Sequence, residues 1–538
     1  MKVKNERWSV NTRDFKHGKY CLSHCLHFAT AIAAGLDEAV DIAEKFPNDP
    51  KNLLEMEKGN DYEELVLAQI KDSLPAGGFD QIAEHSNSDD TRMALLNRTP
   101  VIAQAPLSKA FGNIDFNGRA DLLVREDYKV IFTAGETFAV VRDGAEDSAT
   151  RYTVWDIKHS EGKNKASLFD YEMQVAMMAE GLNELGLLSS ERGGLIMRDG
   201  KIITLDVNEA MSQLIAYRAE TLLFLESHSP QAEHQLANFD RFCKPKSKCN
   251  NAGCDFPDMC SHFREKSDTS AFLRSDSATH FDKLSAAGLD TITAIAGLDG
   301  GEDFGFDREY LQRYVAQAKA ILKSRVSGTP EFVVIENAMT CGAPIVAGNP
   351  HDLYFDFEYV RPVNTSEAHY FLGGYVDARG DYASFASWNT EDERGSMTHM
   401  LTALFDHISM HPDAHIYHYD SPEVTGIKAL GNRYGLSDMA DQILSRMVDL
   451  QKTVLRCVAT SKNGLGLKAL AAFFDAEGYG SGVTSGDDAS LKFYEAQKMI
   501  AKGQTAEAEA QLETIREYHK HDCELTRLLH GWLIESTQ

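Results

Sequence analysis

The chain has 538 residues, 43% of them apolar and 25% charged, which is ordinary for a globular protein of about three or four domains with ample core. Acidic residues outnumber basic ones 81 to 54, and a net charge of −27 argues against a protein that coats nucleic acid over its whole surface. No apolar run approaches the roughly 20 residues that cross a bilayer, and the opening "MKVKNERWSVNTRDF" lacks the apolar stretch of a signal peptide, so a cytoplasmic protein with no membrane association is expected.

The first ~80 residues read as helical, in "LSHCLHFATAIAAGLDEAVDIAEKF" and "DYEELVLAQIKDSL". Strand-like stretches follow: "TPVIAQAPL", "GRADLLVRE", "KVIFTAGETFAVVRD" and "RYTVWDIKH". Then come a helix, "SLFDYEMQVAMMAEGLNELG", a strand pair around "GGLIMRDGKIITLDV", and a long helix to about residue 240. Helices flanking a small mixed sheet predict an α/β core for residues 15–265. A mostly helical connector is expected over residues 266–340, with "KLSAAGLDTITAIAGL" as a small helix-turn-helix packing element. A second α/β unit, residues 341–538, opens at "HDLYFDFEYV", adds strands at "YFLGGYVDA" and "AHIYHYD", and ends in helices. There is no internal repeat and no low-complexity tract.

In the first unit, Asp121 lies inside an apolar strand just after a glycine, and Asp156 and Lys158 stand two apart on another, hence on one face. Two acids and a lysine on neighbouring strands suit metal-assisted phosphodiester hydrolysis. The carboxylates hold Mg²⁺ or Mn²⁺, and the lysine orients the water or neutralises charge on the phosphate. A strand-end salt bridge is the plainer reading of D-x-K. The order G-x-x-D, D-x-K, then a helix with Gln174 resembles the PD-(D/E)XK nucleases of the RecB-like branch, whose domain is restriction-endonuclease-like. That resemblance implies Asp121 and Asp156 as metal ligands, Lys158 as a catalytic residue and Gln174 as a DNA contact near the cleavage site. In "KGNDYEELVL", Tyr62 stands where that branch has a metal-binding histidine, with Glu63 next to it, and Met178 stands where a tyrosine often follows the glutamine.

Four of the nine cysteines, Cys243, Cys249, Cys254 and Cys260, fall in one short segment. Clustered thiols in a reducing compartment read as metal or cluster ligands rather than disulfides. Some RecB-like nucleases, the CRISPR adaptation nuclease among them, pin their fold with a 4Fe–4S cluster bound by one early cysteine and three late ones. The resemblance implies Cys25, Cys249, Cys254 and Cys260 as ligands, with Cys243 and Cys21 as substitutes and Zn²⁺ as the alternative metal. Cys341, Cys457 and Cys523 read as packing residues. The stretch "RFCKPKSKC", with Arg241, Lys244, Lys246 and Lys248 and no acid, is a local basic track.

The strand "YFDFEYV" puts Asp356 and Glu358 on one face of an otherwise apolar strand. Neighbouring carboxylates raise each other's pKa unless a cation lies between them, and Mg²⁺ prefers oxygen ligands. An edge strand with a solvated face is the plainer reading. Near the C-terminus, Leu512, Ile515, Tyr518, Asp522, Leu525, Leu529 and Trp532 recur at three- and four-residue steps, one helical stripe with Asp522 as its charged member and Tyr518 one turn before it. D-x-E on a strand and Y-x-x-x-D on a final helix resemble the tyrosine subgroup of DEDD exonucleases, with an RNase H-like fold. There, four acids hold two metal ions and the tyrosine positions the attacking water. The remaining acid is Glu423 in "IYHYDSPEVTGIKAL", at the start of a helix, with Asp420 as competitor, while Asp449 reads as structural.

The order of parts resembles a family of bacterial RecB-like nucleases fused to an RNase H-like exonuclease. The resemblance implies a metal-dependent nuclease with two candidate sites, a PD-(D/E)XK site and a DEDD 3′–5′ exonuclease site, acting on single-stranded or duplex-end DNA, with RNA as the other candidate substrate. The alternatives are a nucleic-acid-binding scaffold with a degenerate site, and a subunit that works only with a helicase or a defence complex.

Overall fold

A computed structural model of the chain describes residues 2–12, 50–83, 86, 88–143, 150–163, 165–189, 193–227, 265, 267–273, 278–338, 348–363, 365, 367–462, 464–474 and 482–538. These residues fall into two compact units, one within Met1–Asn48 and Glu55–Cys260, the other within Asp49–Leu54 and Ser261–Gln538. Among the described residues no helix is long and apolar enough to cross a membrane.

The first unit runs β1 (Lys2–Lys4), β2 (Arg7–Val10), α1 (Pro50–Asp72, in this unit from Glu55), β3 (Phe79–Gln81), α2 (Ser88–Leu96), β4 (Val101–Phe111), β5 (Ile114–Arg125), β6 (Tyr128–Phe132), β7 (Phe138–Arg142), β8 (Tyr152–Lys158), α3 (Lys165–Glu184), β9 (Gly193–Met197), β10 (Ile202–Leu205) and α4 (Val207–Ser227). Strand β5 organises the sheet. Its first part pairs with β2, its last residues pair with β8, and β4 runs antiparallel along its other edge. Strand β9 continues from β8 in parallel, and β6 and β7 form a separate hairpin. Helix α3 packs its buried Met173, Met177 and Leu182 into the same cluster as Leu107, Leu123 and Leu195 of the sheet. This is the layering expected where a helix follows a strand that pairs in parallel with the next.

The expectation of helix throughout the opening residues fails at Lys2–Val10, which forms an antiparallel hairpin. Arg7–Val10 buries Trp8 and Val10 on one face and is too short for alternation to register across a helix-length window. The first of the two helical stretches expected there lies outside the described residues, and the second lies in α1 except for its last two residues, Ser73 and Leu74. Helix α4 is described as far as Ser227, and the remainder of the helix expected to about residue 240 lies outside the described residues, as do residues 228–264 as a whole.

The second unit opens with a 3-10 turn (Ser270–Phe272), α5 (Ala278–Ala286), α6 (Ile292–Ala296) and α7 (Arg308–Ser327), which bury Phe272, Leu284, Ile292, Ile295, Leu311 and Ile321 in a cluster of their own. It continues with β11 (Phe332–Val334), β12 (Leu353–Val360), β13 (His369–Asp377), β14 (Tyr382–Ala386), α8 (Glu393–Met410), β15 (Ile416–His418), α9 (Pro422–Tyr434), α10 (Ser437–Leu444), β16 (Met447–Asp449), α11 (Leu450–Cys457), β17 (Val458–Thr460), α12 (Leu467–Ala471), α13 (Gly486–Ala501) and α14 (Thr505–Ser536). Its main sheet has the order β14-β13-β12-β15-β16, antiparallel among the first three strands and parallel from β12 onward. Asp449 caps α11, accepting a hydrogen bond from the Gln451 backbone N–H.

Strand β12 has two different apolar faces. Leu353, Phe355 and Phe357 pack with α8, α9 and α10 through Met397, Ile427 and Ile443. On the opposite face, Tyr354 joins Leu529, Trp532 and Leu533 of α14, while Val360 joins Leu512, Ile515 and Tyr518 of the same helix. Helix α14 thus crosses β12 with a buried apolar group at each end of the contact, each such side chain contributing roughly 1.5–3 kcal/mol. Asp356, Glu358 and Asp522 occupy the interval between those two clamps.

Candidate active sites

In the first unit, Asp121 comes from β5, Asp156 and Lys158 from β8, and Gln174 from α3. The Ile157 backbone N–H donates to the Asp121 carboxylate at 2.7 Å, and Asp121 shares a hydrogen bond with Asp156. Lys158 Nζ lies 2.7 Å from the Asp156 carboxylate, donates to Gln174 Oε1 at 3.0 Å, and stands 5.2 Å over the Tyr171 ring. Burial, then Asp156 and Glu63, push the Asp121 carboxyl well above its ordinary range. Burial opposes the charge on Lys158, but Asp156 and Asp121 outweigh it and keep the ammonium charged.

Tyr62 does not take the place of a metal-binding histidine. Its hydroxyl donates to the Met197 carbonyl at 3.0 Å, and burial keeps it protonated. Its neighbour Glu63 joins the acids instead, its pKa raised to about 7 by burial first and Asp156 second. Gln104 Nε2 donates to Glu63, from a backbone with a φ of +56° between the Ala103–Leu122 and Ala105–Ala120 pairs of the β4–β5 ladder. Met178 is buried against Gly118 in the core.

In the second unit, one carboxylate oxygen each from Asp356, Glu358 and Asp522 lie within 4.8 Å of one another. Glu423, in the first turn of α9 and 3% exposed, hydrogen-bonds Asp356. Its Oε2 makes no hydrogen bond and lies 3.4 Å from His418 Nδ1. The competitor Asp420 is exposed in a left-handed turn, where its carboxylate accepts from the Ser421 backbone N–H. Burial, then Glu423 and Asp522, drive Asp356 well above the carboxylate range, and burial, then Asp356 and Asp522, do the same to Glu358. Burial raises Glu423 to about 8. Tyr518 is 3% exposed and hydrogen-bonds Asp522 one turn further along α14.

A protein-family model described as the RNase H superfamily matches residues 353–534. These residues form an RNase H-like domain. No curated protein and no solved structure matches the chain.

Sequence reasoning missed three side chains of the RNase H-like domain. His519 Nε2 donates to the Asp356 carbonyl at 3.0 Å, which fixes the tautomer, so Nδ1 accepts from the Tyr382 hydroxyl at 2.8 Å. Burial pushes the His519 pKa down to about 4 and keeps the ring neutral. His418 lies against Glu423, and Lys468 reaches Tyr518 from α12. His519 carried a weak signal as part of a second buried row of α14 with Cys523, Thr526 and His530, beside the stripe that contains Asp522. Lys468 had none, because one lysine on a five-residue helix looks like any surface cation.

Gly374 pairs with Asp356 across the β12–β13 ladder, and a Cβ there would meet the Ala383 carbonyl at 2.4 Å and His519 Cε1 at 3.2 Å. Gly374→Ala is expected to lower stability by about 2 kcal/mol and to displace Asp356, measured by denaturant unfolding alongside activity.

The cysteines Cys21, Cys25, Cys243, Cys249, Cys254, Cys260 and Cys341 lie outside the described residues, as does the basic track at 241–248.

Proposed function

We propose that the chain is a divalent-metal-dependent nuclease that hydrolyses the phosphodiester bonds of DNA. Its principal site is a DEDD-type 3′–5′ exonuclease centre in the RNase H-like domain, and a second, PD-(D/E)XK-type site lies in the first unit. The convergence of Asp356, Glu358 and Asp522 to within 4.8 Å carries the reading, with Glu423 hydrogen-bonded to Asp356. The donor set fits Mg²⁺ or Mn²⁺: it is all carboxylate, and the buried Glu423 Oε2 has no hydrogen-bond donor. When bound there, such ions polarise the phosphodiester and lower the pKa of an attacking water. The four acids hold the site, and Tyr518 orients the water at a strand's 3′ end. In the first unit, Asp121, Asp156 and Glu63 form the acidic set, Lys158 meets charge developing on the phosphate, and Gln174 anchors Lys158 and faces the DNA. Cys25, Cys249, Cys254 and Cys260 are proposed as ligands of a 4Fe–4S cluster, supported by their split along the sequence, and iron and zinc analysis of anaerobically purified protein decides between that cluster and Zn²⁺.

The test is incubation of the purified chain with 3′-labelled single-stranded DNA, with the matching RNA in parallel. Stepwise release from the 3′ end with Mg²⁺ or Mn²⁺, abolished by EDTA, is expected. Intact DNA with every metal tried overturns the reading.

Metal and pH act together on stability. Asp356, Glu358 and Glu423 keep protons when folded that they release when unfolded, so metal-free stability is intact below their unfolded pKa values of 3.8 to 4.5 and is lost as pH rises toward the folded value of about 8 at Glu423. Thermal unfolding in EDTA is expected at a lower temperature at about pH 8.5 than at about pH 5.5, and Mg²⁺ or Mn²⁺ should recover most of the difference. A pH-independent melting temperature in EDTA would contradict this.

A further inference from the structure

Lys468 lies on α12, half-buried, in a part of the RNase H-like domain where the sequence shows no acid motif. Its ammonium donates to the Tyr518 hydroxyl at 3.2 Å and stands 4.5 Å over the Tyr518 ring. It also donates to the Thr484 backbone carbonyl, and Asp522, Glu358, Asp488 and Asp356 all act on its charge.

A phenol hydroxyl can donate one hydrogen bond and accept others, whereas an ammonium can only donate. Contact with Lys468 therefore makes the Tyr518 oxygen the acceptor in that pair. The phenol proton is left for Asp522, its hydrogen-bonded neighbour on α14. The donor order runs from Lys468 to Tyr518 to Asp522. The cation over the ring face also opposes rotation of the ring away from the acids.

We propose that Lys468 is a positioning residue that sets the orientation and hydrogen-bond polarity of Tyr518, so that its hydroxyl is held where the attacking water must be aligned. This rests on the exonuclease reading above. A purely structural lysine would satisfy the Thr484 carbonyl and the local charge without acting on the rate through Tyr518.

The experiment compares kcat and KM for 3′-end release from single-stranded DNA with saturating Mn²⁺. The proteins are wild type, Lys468→Met, Lys468→Arg, Tyr518→Phe and the double variant Lys468→Met/Tyr518→Phe, each with its melting temperature. Lys468→Met should lower kcat by up to about tenfold, no more than loss of the Tyr518 hydroxyl itself, with KM within about twofold, and Lys468→Arg, which keeps a donor and a charge, should recover most of it. In the Tyr518→Phe background, which has no hydroxyl to orient, Lys468→Met should cost less than about twofold. Full additivity in the double variant, a change confined to KM, or an unchanged kcat overturns the proposal while leaving the exonuclease reading standing. If Lys468→Met does not fold, Lys468→Arg decides: a folded arginine variant as slow as Tyr518→Phe overturns it. A wild-type protein without activity removes the exonuclease reading itself, and this inference with it.

Discussion

Asp522→Asn is expected to remove exonuclease activity by about a thousandfold while raising the melting temperature of the metal-free protein. The two effects share one cause. Asp356, Glu358 and Asp522 bring carboxylate oxygens within 4.8 Å of one another, and Asp522 is a source of the upward push on both Asp356 and Glu358. Without a cation this crowding opposes folding at neutral pH, so neutralising one member relieves it. With cations the same crowding is the binding energy, and an amide supplies less of it. Tyr518→Phe should cost less, about tenfold, because the four acids remain and only the alignment of water is impaired. Activity on 3′-labelled DNA and thermal unfolding in EDTA check both halves. An Asp522→Asn protein that is both active and no more stable would show that the acids do not act together.

The second large effect is expected in the first unit. Asp156→Asn and Lys158→Ala should each abolish a nuclease activity that survives Asp522→Asn, because they remove a carboxylate and the ammonium that lie 2.7 Å apart beside Asp121. Their stabilities should differ. Lys158→Ala leaves Asp121, Asp156 and Glu63 without the cation that now lies against them, a loss of up to about 3 kcal/mol that protonation of Asp121 and Glu63 reduces. Asp156→Asn removes one of the repelling charges and should be close to neutral for stability. Double variants of Asp522 with Asp156 or Lys158, assayed on linear and circular DNA, separate the two sites. Unchanged degradation by Asp156→Asn and Lys158→Ala on every substrate would leave this cluster as an ion-pair network with no catalytic role.

The parts of the fold that were legible are those where one residue period governs a long element. Asp356 and Glu358 share a face because β12 alternates, and Tyr518 and Asp522 share a face because α14 has helical periodicity over its 32 residues. The place of Glu423 in the first turn of α9 was legible because the strand ends before it, while its burial is a matter of tertiary packing. Short elements were not legible. Strands β1, β2 and β14 have three, four and five residues, and pairing with their neighbours, rather than any pattern of their own, makes them strands. Which of Tyr62 and Glu63 faces the acids was not legible for a related reason. Tyr62 and Glu63 are adjacent on α1, about 100° apart around its axis, and only tertiary packing decides which of them faces β5 and β8. Lys468 lacked any signal that separates it from an ordinary surface cation, and the buried row that contains His519 marks it as a core residue without showing what it contacts. His519 acts through the backbone carbonyl of Asp356, a contact between residues 163 positions apart.

The most direct measurement is anomalous diffraction from crystals grown with Mn²⁺. Two manganese peaks about 4 Å apart, bounded by Asp356, Glu358, Glu423 and Asp522, with the Tyr518 hydroxyl directed at the solvent between them, are the predicted result. Crystals saturated with Mn²⁺ that show no peak among these four acids would contradict the account.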